Sequence, residues 1–197
     1  MTTQAADRFA RLRRCGGIAL LAFAVLAVTG CAGARTQPQA PGPATAESRA
    51  PAVRAARARL RDELRLLEGA TAWSIELVPE GVLMVLPARA SFAADRAELL
   101  APAAATLRQA AVLLGRQPRL SLRVTGHTDS VGRAAFNEEF SRQRARAVAA
   151  ALSAAGIAPE RIETRAAGER EPRAAEIDSA GREANRRVEI LIVDAPR

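Results

Sequence analysis

Leu120, Leu122 and Val124 alternate with Ser121, Arg123 and Thr125. A period of two predicts a strand with one buried face. Val188–Val193 predicts a strong final strand, and Ile162–Ala167 a weaker one. Ser74–Val78 and Val82–Leu86 read as two short strands around a hairpin-type turn, Pro79-Glu80-Gly81. Elsewhere the spacing is helical. Leu107, Ala110, Ala111 and Leu114 mark a helix over 102–115, with Pro102 near its start. Residues 134–155 predict a long Ala-rich helix carrying Phe136, Phe140, Val148 and Leu152, closed by Gly156. After the first hairpin strand the order is strand, helix, strand, helix, strand, strand. That order predicts an α+β sandwich with helices packed on one face of a mixed sheet.

The N-terminal part has a different pattern. Ile18–Thr29 is an uncharged apolar run that follows Arg8, Arg11, Arg13 and Arg14. It is too short for a bilayer, which takes about 20 residues, and suits the core of a signal peptide. It ends at Val28-Thr29-Gly30-Cys31, which resembles the bacterial lipobox. An ordinary signal peptide or a short anchor with an incidental Cys is the alternative. The resemblance implies a signal peptide over 1–30, lipidation of Cys31 and a mature chain held in lipid. Ala32 rather than Asp after Cys31 implies the outer membrane. Residues 31–51 are rich in Pro and Ala and predict an extended tether, with a reach of about 60 Å. Residues 52–70 then predict a short amphipathic helix with Val53, Leu60, Leu64 and Leu67 on one stripe and Gly69 as a stop. Arg57 occupies a position that a heptad would make apolar, so a helix packing on the domain or extending the tether is favoured over a dimerisation helix.

Composition narrows the function. With 49% hydrophobic and 25% charged residues, the chain has enough apolar material for a folded core. Aromatic residues make up 3%, which argues against a stacking platform for single-stranded nucleic acid. One His and two Cys exclude a Cys/His zinc domain and a disulfide framework. The net charge of +8 lies mostly upstream of residue 71, and residues 71–197 set 18 Arg against 16 acids. A nucleic-acid-binding domain would concentrate its positive charge on the folded part, so no nucleic-acid partner is expected.

Three segments occur in register: Gly126-His127-Thr128-Asp129-Ser130-Val131-Gly132, then Asn137 to Val148, then Gly181 to Ile190. Together they resemble the OmpA-like C-terminal domain of porin-type proteins, peptidoglycan-associated lipoproteins and flagellar stator subunits. Phe92–Leu99, Gly168-Glu169 and Pro172 fall where that family has a Phe-rich loop and a Gly-Glu-x-x-Pro turn. The resemblance covers about residues 75–194, so 71–197 is expected to be an OmpA-like two-layer sandwich. It implies non-covalent binding of peptidoglycan through the diaminopimelate of the stem peptide. Two departures stand beside the expected pocket. Ala93 replaces an acid, and Phe140 replaces a Leu.

A zwitterionic amino-acid end needs an anion for its ammonium and a cation for its carboxylate. The resemblance assigns these to Asp129 and to the bidentate fork of Arg144; the alternative is a turn cap paired with its neighbour. Asn137 is expected as a helix N-cap, a ligand contact, or both. Asp95 is either a loop contact or a helix cap. Arg187 either reaches the site or serves an ion pair. His127, the one His, is expected to be structural and hydrogen-bonded at a strand end rather than a catalytic base. No Gly-x-Ser-x-Gly elbow accompanies it, and no paired carboxylates of a glycosidase are identifiable. The expectation is a binding module with no catalytic residues, no metal and no cofactor: an outer-membrane lipoprotein that faces the periplasm and holds the wall. The alternative is a structural or assembly component of a secretion or motor complex, with an envelope protein partner recruited through helix 52–68.

Overall fold

The computed structural model describes residues 46–195. The expected signal peptide, Cys31 and most of the expected tether lie outside the described residues. Helix α1 (Ala46–Arg65) leads to a hairpin of β1 (Ser74–Val78) and β2 (Gly81–Pro87). A short helix α2 (Ala88–Ser91) and a turn precede α3 (Ala101–Gly115). Strand β3 (Leu120–His127), helix α4 (Ala134–Ala154) and strand β4 (Ile162–Gly168) follow. Helix α5 (Ser179–Asn185) then enters the last strand, β5 (Arg187–Asp194).

The five strands form one sheet in the order β1-β2-β5-β3-β4. Only the β3–β4 pair is parallel, as its α4 crossover requires. The last strand therefore lies mid-sheet, between β2 and β3. Alternation sorts the faces. Met84, Leu122, Val124, Val188, Ile190 and Ile192 are buried in one core with Leu107 and Leu114 of α3 and Val148 and Leu152 of α4. The α+β sandwich read from the periodicity is the fold observed.

Three local expectations need correction. The helix expected at 52–70 starts earlier, at Ala46, runs through Pro51 and ends at Arg65. Residues 46–51, assigned to the tether, are thus helical. Gly69 is not its stop; it lies in a separate 3-10 turn, Glu68–Ala70, where the Glu68 carboxylate accepts from the Ile75 N–H at 2.7 Å. A helix, α5, also separates the two strands that were expected to be adjacent. Its sequence, SAGREAN, carries no apolar stripe to reveal it. Asp178 caps it instead, accepting from Gly181 N at 2.8 Å.

Helix α1 packs on the domain. Leu60 and Leu64 are buried in the shared core, beside Trp73, whose Nε1 donates to Ser91 Oγ at 3.1 Å. Arg57 donates to the Pro79 carbonyl and to Asp194, both at 2.9 Å. The residue that breaks the heptad therefore clamps the helix to the first hairpin and to the end of β5.

Candidate functional site

The site sits where β3 ends and α4 begins. Gly126 lets these two elements meet closely. A Cβ there would lie 2.0 Å from the Ser141 carbonyl oxygen, so only Gly allows α4 this near the sheet. Gly168, at the end of β4, has a φ of 56° and faces Glu138 across the same gap. Ser141 fills it, accepting from Gly168 N at 3.1 Å and donating to the Glu138 carbonyl at 2.8 Å. This close approach sets Asn137 and Arg144 of α4 beside the loop after β3.

That loop is held from two sides. Asn137 Nδ2 donates to the carbonyls of Asp129 (3.3 Å) and Val131 (3.2 Å) and to Glu169 (2.7 Å). Glu176 accepts from Ser130 N and Oγ. Glu176 is itself fixed by Asn185 Nδ2 at 2.7 Å. Hydrogen bonds from Ser130 and Asn185 pull the Glu176 carboxyl below its usual pKa. Asn137 is not an N-cap; Arg133 holds that position, and Asn137 lies inside the first turns.

A cavity of about 500 Å³ opens above the loop. Asp129, Asn137, Arg144 and Asp95 all line it, as do Phe92 and Phe140. Asp129, Asn137 and Arg144 are 8%, 4% and 6% exposed, so their charges and dipoles act where water screens poorly. The Arg144 guanidinium lies over the Phe140 ring at 4.2 Å and over Phe92 at 5.2 Å. Its Nε donates to the Arg96 carbonyl at 3.2 Å, and its two Nη groups have no partner among the described residues. Burial pushes the Arg144 pKa down; Asp95 opposes this, and the nearby Arg186 adds to it. The result is a locked cation with an open fork, stacked on aromatic faces.

Asp95 projects from the α2–α3 turn with a left-handed φ of 51°, a conformation that Asp tolerates better than most residues. It caps no helix, since α3 starts at Ala101 after Leu100. Asp129 and Arg144 face one cavity but do not pair. Asp129 Oδ2 instead receives Nη1 of Arg186 at 2.5 Å, and Oδ1 accepts from Val131 N at 3.3 Å. Arg186 also pairs with Glu183. Burial works to lower the Arg186 pKa, but the bonds to Glu183 and Asp129 outweigh it and leave it raised.

Arg187 does not line the cavity. Its Nε donates to Glu189 at 2.7 Å, and its Nη groups reach the carbonyls of Asn185 and Glu171 at 3.2 Å each. Strand parity explains the exchange. Arg187 shares a sheet face with Glu189, opposite the core face of Val188 and Ile190, while Arg186 falls on the cavity side. His127 pairs in register with Arg187, so it too lies on the face away from the cavity. It is buried at the end of β3, but the expected hydrogen bond is not found: neither ring nitrogen has a partner among the described residues, and Nε2 is 3.5 Å from Glu189 Oε2. The sequence reading missed Arg186, Arg182, Glu183 and Arg89, which also line the cavity. Among the described residues no group of three His, Cys, Asp or Glu side chains is placed to hold a metal.

Residues 91–186 match the OmpA family. The chain is 34% identical over 135 residues to Probable lipoprotein YiaD of Escherichia coli (strain K12), covering 68% of this chain and 60% of that protein. It is 35% identical over 102 residues to the peptidoglycan-binding protein ArfA of Mycobacterium tuberculosis (strain H37Rv), covering 52% of this chain and 31% of that one. The chain thus spans less than two thirds of either relative. The structure is similar to that of the cell wall anchor of the T6SS from Pseudomonas aeruginosa. The TM-score is 0.61 at 29% identity, over 71% of this chain and 99% of that one.

Proposed function

Since this chain carries an OmpA family domain over residues 91–186, we propose that it binds peptidoglycan non-covalently through the zwitterionic end of a diaminopimelate side chain. The observation that carries the reading is the open Arg144 fork, buried between two aromatic rings in the cavity that Asp129 also lines. A carboxylate accepts both Nη groups in a bidentate pair. The ligand's ammonium approaches the free lone pairs of Asp129, which Arg186 and Val131 N hold in place. Asn137 keeps the Asp129 loop closed over the helix. Asp95, on the opposite loop, adds negative charge at the rim. Arg187 serves this arrangement from behind, by tying β5 to the Glu171 carbonyl. ArfA, named for peptidoglycan binding, and the wall-anchor structure support the ligand class.

The same proposal includes the envelope address. Cys31, acylated after removal of residues 1–30, anchors the chain in the outer membrane. Residues 32–45 span toward the wall, and the domain faces the periplasm. This agrees with the lipoprotein named among its relatives. A second reading keeps the site and makes the chain the wall anchor of a larger envelope assembly. The likeness to almost the whole T6SS anchor favours it. Co-sedimentation of the full chain with purified sacculi tests the ligand; no sedimentation above a non-binding control overturns it.

A further inference from the structure

The charges around the cavity are not balanced by one zwitterion. Asp129 and Glu183 are both engaged by Arg186, and this trio sums to one negative charge, which suits one ammonium. Arg89, Arg144 and Arg182 also line the cavity, and none has an ion-pair partner within 4.0 Å among the described residues. Arg182 lies close enough to Glu176 to help lower its pKa, but that carboxylate is taken by Ser130 and Asn185. Asp95 is the one lining acid outside the trio. Three guanidiniums against one carboxylate leave two positive charges. A ligand with one carboxylate would satisfy Arg144 and leave a surplus cation at the rim.

We propose that the cavity takes a ligand with one ammonium and two carboxylates, and that Arg89 and Arg182 hold the second carboxylate. This rests on the stem-peptide reading above. In a stem peptide the second group is the α-carboxylate of the D-glutamyl residue, which is joined to diaminopimelate through its γ-carboxyl. Arg144 takes the diaminopimelate carboxylate deep in the cavity. Arg89, on α2, and Arg182, on α5, stand less buried and act as a selectivity filter at the mouth. Cations at a rim contribute discrimination more than raw affinity. Wall in which that glutamyl carboxylate is amidated is then the poorer ligand.

The test is calorimetric titration of the full chain with two synthetic tetrapeptides, N-acetyl-L-Ala-γ-D-Glu-diaminopimelate-D-Ala amide and its D-glutamyl α-amide. Amidation of the C-terminus leaves only the two carboxylates in question. The parent chain is expected to bind the free-acid peptide roughly fivefold more tightly, as suits exposed ion pairs. Arg89→Gln with Arg182→Gln should bind both peptides alike, at the parent's affinity for the amide. Equal binding of the two peptides by the parent, or a preference that survives the double substitution, overturns the filter and leaves the wall-binding reading standing. Binding of neither peptide by the parent overturns both. Circular dichroism of the double variant controls for folding.

Discussion

Asp129 is paired with Arg186, 57 positions away, through a 2.5 Å contact from Nη1 to Oδ2, and not with Arg144, which shares its cavity. The two site charges are therefore independently held. Asp129→Ala should remove the ammonium partner and leave Arg186 still bonded to Glu183, so the fold survives. Arg144→Ala should remove the carboxylate fork. Loss of one partner of a desolvated charge pair costs about 2–5 kcal/mol, so each change should weaken sacculus binding about 30-fold or more. Arg186→Gln should weaken it less, because the Asp129 carboxylate remains. Parent-like co-sedimentation by folded Asp129→Ala and Arg144→Ala proteins would sink the assigned site.

Leu64 ties α1 into the core that α3 and α4 share with one face of the sheet. Truncating a fully buried Leu costs about 2–5 kcal/mol, depending on how far the cavity closes. Leu64→Ala should therefore lower stability by that amount, whereas Leu66→Ala, on the exposed side of the same turn, should change it little. Urea denaturation monitored through Trp73 fluorescence measures both. A fragment starting at residue 71 loses Leu60 and Leu64 together and should be less stable than one starting at 46. Equal midpoints for the two fragments would show that α1 adds nothing.

Gly126→Ala tests the seam between β3 and α4. The new methyl meets the Ser141 carbonyl oxygen at 2.0 Å, so the helix must move outward. Overpacking of this kind costs about 1–3 kcal/mol. Because Asn137 and Arg144 ride on that helix, sacculus binding should fall along with stability. A variant that loses stability but binds normally at a temperature where it is folded would show that the site does not depend on this approach.

The sheet was legible because alternation is a local signal. Every expected strand from Ser74 to Val193 is present within one or two residues of its bounds. Asp129, Asn137, Arg144 and Asp95 do reach one cavity. Of two adjacent arginines the resemblance points to Arg187, whereas Arg186 faces the cavity, and the sequence holds the means to decide. Val188, Ile190 and Ile192 define the core face, so Arg187 and Glu189 must share the other. Helix α5 was hidden because seven residues without an apolar stripe carry no period. The Asp129–Arg186 pair was hidden for a different reason. It depends on where a sheet places residues 57 apart, and no spacing rule reaches that far.

Cys31→Ser should abolish incorporation of labelled palmitate and leave unprocessed precursor or soluble periplasmic protein. The proposed anchor needs a thiol at that position, and a hydroxyl does not replace it. Normal labelling of the variant would remove the lipoprotein reading but not the wall-binding one, since Cys31 lies outside residues 91–186, which match the OmpA family.

Glu189 links acid stability to the face behind the site. Its Oε1 accepts from Arg187 Nε at 2.7 Å, and its Oε2 lies 3.5 Å from His127. Burial raises its pKa, but His127 and Arg187 outweigh that and hold it at about 2. An unfolded Glu titrates near about 4.3. The folded value is the lower, so the unfolded chain binds the extra proton as the pH falls between them. The stability that Glu189 contributes is therefore whole above about pH 5 and is lost as the pH drops toward 2. Glu189→Gln should be less stable than the parent at pH 7, and the difference should shrink steadily through that window. Urea midpoints for both proteins at intervals from pH 7 to pH 2.5 measure it. If the gap stays constant over the whole range, the carboxylate is not the group that couples folding to protons here, and the Arg187 contact contributes only its geometry.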